Sequence, residues 1–141
     1  MRELNVKEIT AGVAKLCDAC YYLPQDLLEK FKASRDTEES PLGREVLETI
    51  IENAELAARK DVPLCQDTGL AVVFLEIGQE VHFTGGALEE AVNAGVAEGY
   101  TKGYLRKSSV DDPLFERKNT QDNTPAIIHT RLVPGDKVKI T

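Results

Sequence analysis

The feature that most constrains the fold is an apolar run without alternation, Leu70-Ala71-Val72-Val73-Phe74-Leu75, entered from Gly69. Successive strand residues point to opposite faces, so a half-buried strand alternates apolar and polar side chains. A run that is apolar at every position predicts instead a strand covered on both faces and central in its sheet. Immediately before it stands Pro63-Leu64-Cys65-Gln66-Asp67-Thr68-Gly69, where a thiol, an amide, a carboxylate and a hydroxyl occupy consecutive positions between a proline and a glycine. Loops held at the end of a rigid strand are common places for catalytic groups, because the strand fixes the loop and leaves its side chains free to meet a ligand.

The residues ahead of that loop read as helices. Asn5 with Glu8 resembles a capping box, and Val6, Ile9, Val13, Leu16, Cys17 and Cys20 recur at helical spacing, which predicts a helix over residues 6–21. Pro24 suits the first turn of a second helix that buries Leu27, Leu28 and Phe31 and yields to a polar surface loop over residues 34–40. Ser40-Pro41 caps a third, with one stripe of Leu42, Val46, Leu47, Ile50, Ala54 and Ala57. The first sixty residues are therefore expected to be helical.

Beyond the central strand, residues 81–83 form a short extended piece and Thr84-Gly85-Gly86 opens a fourth helix with Leu88, Val92 and Val96 on its apolar side. Ala87, Ala91, Gly95, Gly99 and Gly103 repeat every fourth residue, which predicts a groove where another backbone approaches closely. Glycine inside a helix costs about 1 kcal/mol relative to alanine, so tight packing has to offset it. Residues 106–124 show no periodicity, and a connection that long in a compact domain is usually functional or disordered. Residues 126–133 then extend, and Pro134-Gly135-Asp136 turns the chain into residues 137–141, a C-terminal hairpin cut off in mid-strand. The expected fold class is α/β with α+β character: N-terminal helices over residues 1–62 packed on a small mixed sheet over residues 63–141, in one domain.

A hydrophobic content of 42% supports a real core in 141 residues. The formal charge of −7 argues against nucleic acid as a partner, which needs lysine and arginine in excess. No apolar run approaches the ~20 residues of a membrane span, and the N-terminus lacks the basic-then-apolar order of a signal peptide. A cytoplasmic or similarly reducing location is expected. In that setting the three cysteines read as free thiols or metal ligands rather than a disulfide framework.

Cys65, with Gln66 and Asp67 beside it, could ligate a metal or an iron–sulfur cluster, act as a nucleophile, or simply fill space. Cys17 and Cys20 make a C-x-x-C, but both fall on the apolar stripe of the first helix and no second pair completes four zinc ligands, so they read as core cysteines. His82 and His129 form no recognisable triad or zinc pattern. Arg106 stands where the glycine-rich helix opens into the polar segment. Arginine holds a carboxylate through two parallel hydrogen bonds, so a dicarboxylate is a sensible ligand, with an ordinary surface cation as the alternative.

Taken together, P-L-C-Q-D-T-G at residues 63–69, Leu105-Arg106-Lys107-Ser108, Asp112-Pro113-Leu114, and Asn119-Thr120-Gln121-Asp122-Asn123-Thr124-Pro125-Ala126-Ile127-Ile128-His129 resemble the class I, iron–sulfur-dependent fumarate hydratases. The resemblance implies reversible hydration of fumarate to L-malate at a 4Fe-4S cluster held by three thiolates. It makes Cys65 one of those ligands, Gln66 and Arg106 holders of substrate oxygens, and Asp67 a hydrogen-bonding or acid group near the hydroxyl. L-tartrate dehydratase shares the architecture and is the close alternative; a non-catalytic assembly fragment is a reading from a different class. In the resemblance this chain corresponds to the first part of a cluster-bearing subunit. Two further cluster cysteines are expected outside it, along with a beta subunit in two-chain members and homo- or hetero-oligomeric assembly.

Overall fold

A computed structural model describes every residue except Thr68 and divides the chain into two compact units, Met1–Asp18 with Asp67–Thr141, and Ala19–Gln66. Helices and small sheets, parallel and antiparallel, make the fold α/β, as expected.

The first unit begins with a strand. β1 (Arg2–Asn5) pairs in parallel with β3 (Val81–Thr84), so the expectation of a wholly helical first sixty residues is corrected at its start. Asn5 then ends β1 and caps α1 (Val6–Leu16): its side-chain oxygen accepts from the Lys7 amide at 3.0 Å. Helix α1 gives way to a 3-10 turn at Cys17–Cys20 rather than running to residue 21.

The buried side chains Val6, Ile9 and Val13 of α1 meet Val92 and Val96 of α4 (Leu88–Lys102) in the core of this unit. The small-residue repeat on α4 is what lets the helices touch. A Cβ placed on Gly95 would lie 2.7 Å from the Thr10 carbonyl oxygen and 2.7 Å from Val13 Cβ, and one on Gly99 would strike the Cys17 sulfur. The Thr10 hydroxyl donates to the Ala91 carbonyl at 2.9 Å across the same seam. Close packing thus offsets the propensity cost of the glycines, as anticipated from their spacing.

The main sheet has the order β6–β2–β7. β2 (Val72–Gly78) is central, parallel to β6 (Ile127–Val133) and antiparallel to β7 (Val138–Ile140). The centrality of β2 agrees with the sequence; two details do not. First, β2 is covered on one face only: Val73, Leu75 and Ile77 are buried, whereas Val72 and Phe74 are 44% and 51% exposed. Phe74 stacks on His129 instead, ring centroids 5.0 Å apart. Second, β6 and β7 are not a hairpin, because β2 lies between them. Their connection crosses the end of β2, where the Gly78 amide donates to the Lys137 carbonyl at 2.8 Å and the Gln79 amide to the Val133 carbonyl at 2.9 Å. A Cβ on Gly78 would fall 2.9 Å from the Asp136 nitrogen and collide with the Gly135 carbonyl, so only glycine admits this crossing.

In the second unit, α2 (Gln25–Thr37) and α3 (Pro41–Lys60) run antiparallel, tied by Lys32–Glu55 at 2.7 Å and Arg35–Glu48 at 3.0 Å. The expected loop over residues 34–40 is therefore shorter: Arg35 belongs to the helix, and only residues 38–40 connect. Ser40 caps α3 as predicted, accepting from the Gly43 amide. The predicted stripe is rotated. Ile51, Ala54 and Ala57 are buried, while Leu42, Val46 and Ile50 lie 69%, 50% and 38% exposed. None of the described residues of α2 is fully buried, Leu27, Leu28 and Phe31 included.

Candidate functional site

Arg106 follows the C-terminal end of α4. Gly103 caps that helix by donating to the Gly99 carbonyl at 2.8 Å, Tyr104 takes a left-handed backbone at φ 55°, and Leu105 is buried and donates to the Tyr100 carbonyl at 3.0 Å. A fixed helix end thus delivers Arg106, which is exposed, to the start of the polar segment.

That segment is built rather than loose. β4 (Val110–Asp111) pairs antiparallel with β5 (Lys118–Asn119), the Thr120 amide donates to the Ser109 carbonyl at 3.1 Å, and the Asn119 side chain donates to the Lys107 carbonyl at 2.8 Å. Among the described residues, Tyr104 just before this stretch and Asp112, Arg117, Gln121 and Asn123 within it all hold positive φ without being glycine. Such backbone persists only where surroundings over-determine it, and it clusters at functional sites.

Asn123 is its centre. The residue is completely buried, and its Oδ1 accepts from the Ser108 amide at 2.7 Å, the Ser109 amide at 3.0 Å and the Ser109 hydroxyl at 3.1 Å. Its Nδ2 donates to the Gly69 carbonyl at 3.1 Å. One side chain therefore joins the backbone two residues after Asp67 to the backbone two residues after Arg106. The sequence analysis quoted Asn123 within a motif and gave it no role. The density of Asn, Asp and Thr over residues 119–124 was the available signal, since these side chains bond to nearby backbone and tolerate left-handed conformations.

Asp122 and Thr124 supply a smaller lock. The Thr124 hydroxyl and amide donate to Asp122 Oδ1 at 2.7 and 3.0 Å, and the hydroxyl bond above all holds the Asp122 carboxyl below its ordinary value. Asn93 on α4 accepts from the Ala126 amide at 2.8 Å, fixing the entry to β6.

The other predicted residues divide between the units at the Gln66–Asp67 bond. Asp67 belongs to the same unit as Arg106 and is exposed. Cys65 and Gln66, both exposed, belong with α2 and α3, and Cys65 is in no disulfide. There the Leu64 amide donates to the Cys20 carbonyl at 2.9 Å and Asn53 Nδ2 to the Leu64 carbonyl at 2.8 Å, which fixes the residue before Cys65. Burial, and then the neighbouring Cys65, pushes the Cys20 thiol up. Cys17 and Cys20 are only half-buried, so the expectation of core cysteines is corrected: the helix carrying their stripe ends at Leu16. Among the described residues, no three His, Cys, Asp or Glu side chains gather as a metal site. No helix among them is long and apolar enough to cross a membrane.

The chain is similar in sequence to known proteins. Fumarate hydratase 2 of Leishmania major is 37% identical over 120 residues, 84% of this chain and 21% of its own length. The anaerobic class I fumarate hydratase of Escherichia coli K12 is 37% identical over 105 residues, 74% of this chain and 19% of its own. The L(+)-tartrate dehydratase subunit alpha of Escherichia coli UTI89 is 29% identical over 120 residues, 84% of this chain and 39% of its own. The chain thus spans about a fifth to two fifths of the length of these relatives. The family model described as fumarate hydratase (Fumerase) matches residues 10–141, all four predicted site residues included, and the chain belongs to that family.

Proposed function

We propose that this chain is part of a hydro-lyase that reversibly adds water to fumarate, giving L-malate. The observation that carries the reading is the family match across residues 10–141, which contains Cys65, Gln66, Asp67 and Arg106. Dehydration in the reverse direction removes a proton from carbon and expels hydroxide, a poor leaving group, so a site must hold the carboxylates and assist departure of the hydroxyl.

Each residue has a part in that task. The Arg106 guanidinium takes a substrate carboxylate through two parallel hydrogen bonds, and the Gln66 amide donates to another substrate oxygen. Asp67 hydrogen-bonds the substrate hydroxyl and gives it a proton as it leaves. The base that receives the carbon-bound proton lies outside this sequence.

Cys65, exposed and in no disulfide, fits as one thiolate of a cluster, not as a complete ligand set, since no group of three His, Cys, Asp or Glu side chains gathers among the described residues. A 4Fe-4S cluster with one open iron supplies Lewis acidity toward the hydroxyl and a carboxylate when bound. Its other thiolates come from the remaining part of the cluster-bearing subunit. A beta subunit completes the assembly, a reading supported by relatives named as alpha subunits. A second reading, dehydration of L-tartrate, is favoured by a relative 31% identical over 102 residues, the L(+)-tartrate dehydratase subunit alpha of Escherichia coli K12.

The test is steady-state kinetics of the assembled enzyme on fumarate, L-malate and L-tartrate. Turnover of the first two is expected; turnover of L-tartrate alone would select the second reading, and none of the three would refute both. Arg106→Lys keeps the charge but loses the planar fork, and is expected to lower kcat/KM roughly tenfold to a hundredfold. Wild-type kcat/KM in both Arg106→Lys and Arg106→Ala would remove Arg106 from the site.

A further inference from the structure

Asn123 links two segments that are more than thirty residues apart in sequence, and both carry a residue assigned above to the substrate. Its Oδ1 takes three donors from Ser108 and Ser109, and its Nδ2 reaches the Gly69 carbonyl. The side chain is sealed from water, with 0% exposure, so water cannot replace any bond that is lost. Asn123 itself holds a left-handed backbone at φ 64°, uncommon for a residue with a side chain and kept by its surroundings, whereas Gly69 adopts φ 60° at no steric cost.

We propose that Asn123 is a positioning residue: by clamping the Gly69 carbonyl to the Ser108 and Ser109 amides it sets the spacing between the segments that carry Asp67 and Arg106. The proposal rests on the reading of those two as substrate-contacting groups. A dicarboxylate held at one end by arginine presents its hydroxyl to the carboxylate at a separation fixed by its own carbon chain. A site that lets this spacing drift binds the substrate but reaches productive geometry less often, and misplacement of ~1 Å costs about a hundredfold in rate.

Two variants separate clamping from folding. Asn123→Asp retains an acceptor for Ser108 and Ser109 but turns a second acceptor on the Gly69 carbonyl, which opens one side of the clamp. Ser109→Ala removes one of the three donors and leaves the Gly69 link in place, and serves as a comparison of similar packing loss.

In the full chain the Asn123→Asp change is expected to move the Gly69 carbonyl-carbon resonance while the Ser108 and Ser109 amides stay protected from exchange. Asn123→Ala should speed exchange at both amides by about tenfold or more. In the assembled enzyme Asn123→Asp and Asn123→Ala should lower kcat about tenfold or more, and Ser109→Ala several-fold less at a comparable Tm. Wild-type kcat in Asn123→Asp with the Gly69 resonance displaced would overturn the proposal, as would equal losses in Asn123→Asp and Ser109→Ala. An assembled wild-type enzyme with no turnover would refute the reaction assigned above, and the resonance and exchange readings would still decide the clamp.

Discussion

Replacing Gly95 by alanine should destabilise this protein even though alanine is the better helix former. On propensity alone the change gains about 1 kcal/mol. The new methyl, however, would lie 2.7 Å from the Thr10 carbonyl oxygen and from Val13 Cβ, and 3.0 Å from Val13 Cγ1. Two of these atoms are backbone or attached directly to it, so no side-chain rotation clears them. α1 and α4 must part by about 0.7 Å to restore the 3.4 Å of ordinary contact. A gap of that size forfeits roughly a quarter to a half of the dispersion attraction between facing atoms. The affected seam includes Ile9, Val13, Val92 and Val96, all at most 3% exposed, and the Thr10 hydroxyl bond to Ala91. Overpacking of this kind costs ~1–3 kcal/mol, and more than one helix turn is involved, so a net loss of about 1–2 kcal/mol is expected. For a chain of this size that lowers Tm by roughly 3–8 °C. The internal control is Gly12→Ala in α1, whose Cβ would meet only the Ile140 terminal methyl at 3.4 Å and should gain about 0.5–1 kcal/mol. Thermal and urea unfolding followed by far-UV circular dichroism reads both. If Gly95→Ala and Gly12→Ala stabilise alike, close approach is not what the glycine repeat serves.

Two other outcomes follow from the site. In the assembled enzyme Cys65→Ser should abolish the visible absorption of the cluster, because a hydroxyl is a far poorer iron ligand than a thiolate, whereas Asp67→Asn should keep the absorption and lose turnover; the reverse pattern would exchange their roles. Thr124→Val removes the chief bond that depresses the Asp122 carboxyl, so its titration, followed by carboxyl NMR, should move up toward 3.8. A carboxyl with a depressed folded pKa stabilises the fold above its unfolded value and loses that contribution as pH falls through the folded value. Thr124→Val should therefore be less stable than wild type above about pH 4, the difference closing as the pH falls below it; a constant difference down to strong acid would show that the hydroxyl acts by packing alone.

Local signals were legible in the sequence wherever a single element could satisfy them. The Asn5 and Ser40 caps, the starts of the helices that follow them and the central place of β2 all appear where the residues indicated. The glycine spacing on α4 predicted the close approach of another backbone, because only missing side chains permit it. The motif around Cys65, Gln66, Asp67 and Arg106 pointed to the family that the comparison identifies.

What the tertiary structure alone decided depends on partners distant in sequence. Residues 134–137 carry hairpin chemistry, yet the strands they join are separated by β2, because Gly78 gives the connection room to cross. Arg2–Asn5 is a strand only because Val81–Thr84 supplies its parallel partner, and a four-residue stretch has no periodicity of its own to announce that. The apolar run at residues 70–75 could specify hydrophobicity on both faces but not whether both would be covered, and Phe74 remains half exposed. Asn123 lies in a motif that reads as a polar loop. Its burial and its bonds to Gly69, Ser108 and Ser109 arise only when those backbones converge, since a side-chain amide has no preferred partner until the fold presents one.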